Sequence, residues 1–132
     1  MNTKYLMVSS AVVTGFLGLT ASFLPTELLK NIGATANELP TLFVQITGAL
    51  YLGFAMMNWM AKTVLIGGIY ARPLAMGNCV HFTVAALALF KFAIISQNSL
   101  CIWVATIVYS IFAILFGVVA FTSPKQVIAK SI

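Results

Sequence analysis

The sequence predicts an all-α integral membrane protein, a four-helix transmembrane bundle forming one domain over residues 1–132, and three observations lead there. The chain is 61% hydrophobic and only 7% charged, whereas soluble domains carry about 25% charged residues. Its apolar residues fall into four runs of about 20, the length that a helix rising 1.5 Å per residue needs to cross the ~30 Å hydrocarbon core of a bilayer. Of the seven Lys and Arg residues behind the net charge of +5, all but Lys91 stand singly outside those runs, so they act as topology signals and not as a nucleic-acid surface.

The first predicted span is 5–24. A basic start and an apolar run resemble a signal peptide, but the run is longer than the usual h-region, and the segment is expected to be retained. Along it Ser10, Thr14, Gly18 and Ser22 recur every fourth residue. Small residues at that interval let two helix backbones approach closely in lipid, where packing drives association, so this face is expected to touch another helix.

A loop from Pro25 to Pro40 follows, and PTELLKNIG inside it predicts a short interfacial helix at about 26–32. Thr26 is expected as N-cap, Glu27 in the first turn and Gly33 as the stop. Asn37 and Pro40 then open the second span, 41–61, because proline is tolerated in a first turn. Its polar residues are Gln45, Thr47 and Asn58, and Ala49 and Gly53 add a shorter small-residue pair.

VLIGGIY, after Lys62, is too short to cross and is broken by two glycines. It is expected to rest at the membrane interface with Tyr70 as an aromatic anchor. The third span, 73–96, carries Asn78, His81 and Lys91, groups that are costly in hydrocarbon unless they find partners or water. Gln97, Asn98 and Ser99 form a polar turn short enough to make the third and fourth spans an antiparallel hairpin. The last span, 100–122, shows Ala105, Tyr109, Ala113 and Gly117 at four-residue spacing, and Pro124 ends it before a short basic tail.

Alternating sides along four spans places Lys4, Lys62, Arg72, Lys125 and Lys130 together. Lys30, Glu27 and Glu38 fall opposite, with Lys91 lying inward of that end. By the positive-inside rule the basic side, with both termini, is expected to be cytoplasmic. Depth along each helix then suggests which residues can meet. His81 is eight positions past Pro73, ~12 Å into the membrane, a level shared by Thr14 and Tyr109. Asn78 lies nearer the basic side, at about the level of Asn58. Two polar layers are expected, His81 with Tyr109 and Thr14, and Asn78 with Asn58.

Each such residue also has a plainer reading. A lone histidine is more often satisfied by one neighbour and serves packing, and Lys91 has a stem long enough to snorkel to the surface. The sharper reading sets Lys91 near Gln45 and pairs it with Glu38, Glu27 or a bound anion. Cys79 and Cys101 lie at opposite depths, which argues against a disulfide between them.

Several chemistries are excluded by missing residues. No acidic residue lies within a predicted span, removing the carboxylate of proton-coupled drug exporters. One histidine cannot give two axial nitrogens to a haem, although Met or another chain could supply the second ligand, and no vicinal cysteines are present for thiol oxidation. No phosphate loop, paired carboxylate or activated serine is visible, so no catalytic residue, metal ligand or cofactor is assigned.

The order of a span, then P-x-E-L-L-K-x-x-G, then a glycine-containing span (QITGALYLG), then a loop ending in Arg-Pro, then a helix with a histidine one to two turns in, resembles the DoxX-like small four-helix membrane proteins of bacteria. The resemblance covers Pro25 to about Lys91. It implies the four-helix fold and a bacterial inner (cytoplasmic) membrane. Some relatives serve as partner subunits in quinone or thiosulfate metabolism, and no catalytic residue is carried over.

Three functions follow as expectations. The first is a non-enzymatic protein that binds a lipid, quinone or other apolar molecule, with His81, Asn78, Tyr109, Asn58, Gln45 and Lys91 as candidate contacts. The second is an accessory subunit whose small-residue stripe docks a larger membrane partner or a second copy. The third is a small oligomeric transporter or channel. The expected partners are the bilayer and another membrane protein or copy, with no nucleic acid.

Overall fold

The computed structural model describes residues 3–64, 71–95 and 100–122. All secondary structure among them is helical: α1 (Thr3–Phe23), α2 (Pro25–Asn31), α3 (Glu38–Met60), a 3-10 turn (Ala61–Thr63), α4 (Arg72–Ile95) and α5 (Leu100–Phe121). Four of these helices are long and apolar enough to cross a membrane, namely α1, α3 with its 3-10 extension, α4 and α5. The chain divides into two compact units at Val64, one holding α1 to α3 and the other α4 and α5.

The first unit is a helical hairpin in which α1 packs on α3. Ser10 meets Asn58, Gly18 lies against Leu52, and Ser22 lies against Gly48, so the two helices run antiparallel. Glycine sets their separation. A Cβ at Gly48 would come within 2.7 Å of the Ser22 backbone nitrogen, and one at Gly18 within 2.9 Å of the Leu52 nitrogen. No side chain fits there without moving the backbones apart.

Short α2 joins the two and packs on both. It starts one residue earlier than expected, with Pro25 in the first turn and Leu24 as N-cap. Thr26 is therefore not the N-cap; its hydroxyl donates to Glu27 Oε2 at 2.8 Å. Gly33 ends the helix as expected. It adopts φ 74°, while its N–H bonds Lys30 O and the N–H of Ala34 bonds Leu29 O. This is the paired-bond C-terminus that requires a left-handed residue.

The second long helix begins at Glu38, three residues before the expected boundary, with Asn37 in extended conformation as N-cap. Pro40 sits inside the first turn, where its missing N–H would have had no intrahelical partner. The stretch containing VLIGGIY with Tyr70, the Gln97–Ser99 turn and the tail after Pro124 lie outside the described residues.

The second unit is α4 packed on α5, also antiparallel, since Gly117 faces Cys79, Phe116 stacks on Phe82 and Trp103 meets Phe90. Its core is aromatic. Phe82 and Phe116 are both fully buried, their rings nearly parallel at 6° with centroids 5.6 Å apart, and Phe112 stacks on Phe82 from 4.9 Å. The buried face of α5 runs through Ile102, Thr106, Tyr109, Phe112, Phe116 and Val119. Of the expected Ala105, Tyr109, Ala113 and Gly117 stripe only Tyr109 is on it; the other three are half-buried along its edge.

Candidate functional site

In the second unit, α4 presents Asn78 and His81 one turn apart. Asn78 is fully buried, and its Nδ2 donates to Leu74 O at 3.0 Å, a bond back along its own helix. His81 is half-buried. Its ring stands edge-on to Phe82 (centroids 5.1 Å, 75°) and tilted toward Tyr109 (6.2 Å, 49°). Phe82 and Tyr109 in turn meet at 5.4 Å, so the three rings form a triangle at the α4–α5 seam.

Below the triangle toward the start of α5, buried Thr106 donates to Ile102 O at 2.7 Å, and Ser110 donates to Thr106 O at 2.7 Å. These hydroxyls satisfy themselves on carbonyls of their own helix, the usual way a small polar residue becomes tolerable in an apolar span. The structure thus brings together His81 and Tyr109, places Asn78 one turn away, and adds Phe82 and Thr106, which the sequence reading did not single out. Thr106 could have been found from its three-residue offset from Tyr109, and the phenylalanines from the four-residue step between Phe112 and Phe116.

Asn58 belongs to the first unit. It is fully buried, and its Nδ2 donates to Ser10 Oγ at 3.0 Å across the α1–α3 seam. The Ser10 hydroxyl in turn donates a hydrogen bond to Met7 O at 3.0 Å. Thr14, also fully buried, donates to Ser10 O at 2.7 Å. Ser10 is therefore the hub of a small polar chain that ties α3 to α1 at one depth. Gly18 and Ser22 continue the same stripe toward α2 and meet α3 at Gly48 and Leu52.

Gln45 and Lys91 are exposed, on α3 and α4 respectively. Cys79 is half-buried and Cys101 exposed, and both are free thiols. Among the described residues no three His, Cys, Asp or Glu side chains gather in a way that could hold a metal ion.

The chemistry available at the α4–α5 seam is modest and specific. An imidazole can donate and accept a hydrogen bond, a phenol can do either, and both are framed by flat aromatic faces. In comparison with known proteins, the chain matches no family model, no curated protein and no solved structure.

Proposed function

We propose that the chain is a non-enzymatic integral membrane protein that binds a lipid, a quinone or a similar apolar molecule with a hydrogen-bonding head. In this reading the four long helices form one bundle in a bacterial inner membrane, with both ends of the chain cytoplasmic. The observation that carries it is the His81 imidazole held against Phe82 and Tyr109 at the α4–α5 seam. A histidine inside a span is costly and is kept where it contacts a polar group. His81 and Tyr109 contact the head of the bound molecule, and Asn78 braces the turn below.

The accessory-subunit reading relies on the Ser10 to Ser22 stripe as a docking face. Ser10 bonds Asn58, and Gly18 and Ser22 close on α3, so that face is engaged within its own hairpin. This favours ligand binding over docking through that stripe.

The test is native mass spectrometry of the full chain in mild detergent, before and after adding a short-chain benzoquinone or a phospholipid. The reading expects retained small molecules whose number falls by one in His81→Phe while helical content by circular dichroism is unchanged. The same number retained by the wild type and His81→Phe, or no retention by either, overturns it.

A further inference from the structure

The α1–α3 hairpin carries a second feature, unrelated to the His81 cluster. An open groove of about 450 Å³ lies between the two helices, lined by Ala11, Val12, Leu52, Ala55, Met56 and Trp59. That volume falls in the ~300–1,000 Å³ range of small-molecule sites. Two of the groove's lining residues, Ala11 and Ala55, are small, and Gly15 brings only its backbone near Ala55. Its one polar side-chain atom is the Trp59 indole nitrogen, a donor. Hydrocarbon is what its walls accept.

Its end at Trp59 is different. Lys62, half-buried in the 3-10 turn, holds its Nζ 3.5 Å from the centroid of the Trp59 ring. An ammonium over an indole face is attracted by the ring's quadrupole and still has N–H donors pointing away from it. The helices are antiparallel, so Lys4 at the start of α1 lies at the same end of the hairpin as Lys62, and the 3-10 turn packs on α1. A tryptophan and lysines at the end of a span mark the boundary between hydrocarbon and headgroups.

We propose that this groove binds an anionic phospholipid, with one acyl chain laid along Ala11 and Ala55 and the phosphate held by Lys62 and Lys4. A free phosphate would leave the apolar groove empty, and a zwitterionic lipid would bring its own cation to the two lysines. The charge at the end and the hydrocarbon along the walls fit one molecule.

The experiment uses the full chain with Trp103→Phe, which leaves Trp59 as the only tryptophan. It is placed in bilayers of phosphatidylcholine and phosphatidylglycerol at equal amounts, with bromine on the acyl chains of one lipid or the other. Bromine quenches an indole only at contact. Brominated phosphatidylglycerol is expected to quench Trp59 more than brominated phosphatidylcholine, with a preference of about fivefold for each lysine engaged. Lys62→Gln should reduce that preference by about the same factor, with helical content retained. His81→Phe should leave it unchanged, which separates this site from the one proposed above. Equal quenching by the two lipids in the unsubstituted lysine background, or a preference that survives both Lys62→Gln and Lys4→Gln, overturns the proposal.

Discussion

At the scale of single residues, the first hairpin sets hydrogen bonding and close packing side by side. Asn58 reaches Ser10 across the seam, and interhelical bonds of this kind in membranes average about 0.6 kcal/mol, rising to about 1.7. Asn58→Ala, Ser10→Ala and the double variant, unfolded by detergent titration, should therefore show a coupling energy of about 0.6–1.7 kcal/mol; additive single effects would show that the bond contributes nothing. Glycine substitutions should matter more. Gly48→Ala drives a methyl group toward the Ser22 and Ala21 backbone, at 2.7 Å and 3.0 Å, and backbone cannot swing aside as a flexible side chain can, so about 1–3 kcal/mol of overpacking is expected. Gly53→Ala is the control, because nothing lies within 4 Å of its added Cβ; it should be neutral or slightly stabilising in the same titration. The residues of this seam were legible one by one. Asn58 stood out as a polar group in a span, and Ser10 and Gly18 as part of a four-residue repeat. Their partnership was not legible, because counting residues from a helix end gives depth but says nothing of which face a neighbour presents.

At the scale of elements, hydropathy located all four long helices, since a run of about 20 apolar residues has few other uses. Their ends were less legible where polar residues compete for several roles. Thr26 has the side chain of an N-cap, yet Pro25, with φ already near helical values, enters the first turn before it and leaves the Thr26 hydroxyl to Glu27. That hydrogen bond, followed by the Glu27 backbone N–H, holds the Glu27 carboxyl below its ordinary pKa against a smaller opposing effect of desolvation, with the nearby Lys30 charge adding the least. Because the folded value is the lower one, the contribution to α2 is present above the ordinary carboxylate pKa and is lost as pH falls through the folded value. A carbon-13 NMR titration of Glu27 should show Thr26→Val returning its midpoint toward the ordinary value; an unmoved midpoint would assign the shift elsewhere. Gly33 was the clearest signal in this region, and its φ of 74° explains why. An L side chain in left-handed geometry costs roughly 1–2 kcal/mol, so Gly33→Ala should fray the end of α2. Faster amide exchange at Gly33 and Ala34, whose N–H groups close the helix on Lys30 and Leu29, would report it. The P-x-E-L-L-K-x-x-G segment thus has a physical meaning of its own: proline starts α2 and glycine stops it.

For the whole molecule the decisive quantity is the sidedness of its charges. In the α1–α3 hairpin the antiparallel pairing sets Lys4 and Lys62 at one end, while α2 with Glu27 and Lys30, and Glu38 at the start of α3, belong to the other. Arg72 opens α4, and Lys125 and Lys130 lie in the tail after Pro124. Lysine and arginine resist transfer across an energised membrane, whereas acidic residues contribute little to orientation, so the Lys4 and Lys62 end is expected to be cytoplasmic. Four crossings return the chain to its starting side, so the carboxyl terminus should share that face. Fusions of a fluorescent protein that matures only in the cytoplasm, and of a phosphatase active only outside it, test both ends in the same cells. Fluorescence from both termini and phosphatase activity from an insertion between Gly33 and Asn37 are the expected pattern. Termini on opposite faces would mean that one of the four apolar helices does not cross. The orientation has a further check, since it rests on few charges. Replacing Lys4 and Lys62 with glutamine while placing three lysines between Gly33 and Asn37 should produce a mixed or inverted population of the first hairpin, whereas an unchanged fluorescence-to-phosphatase ratio would show that something other than basic residues sets its direction.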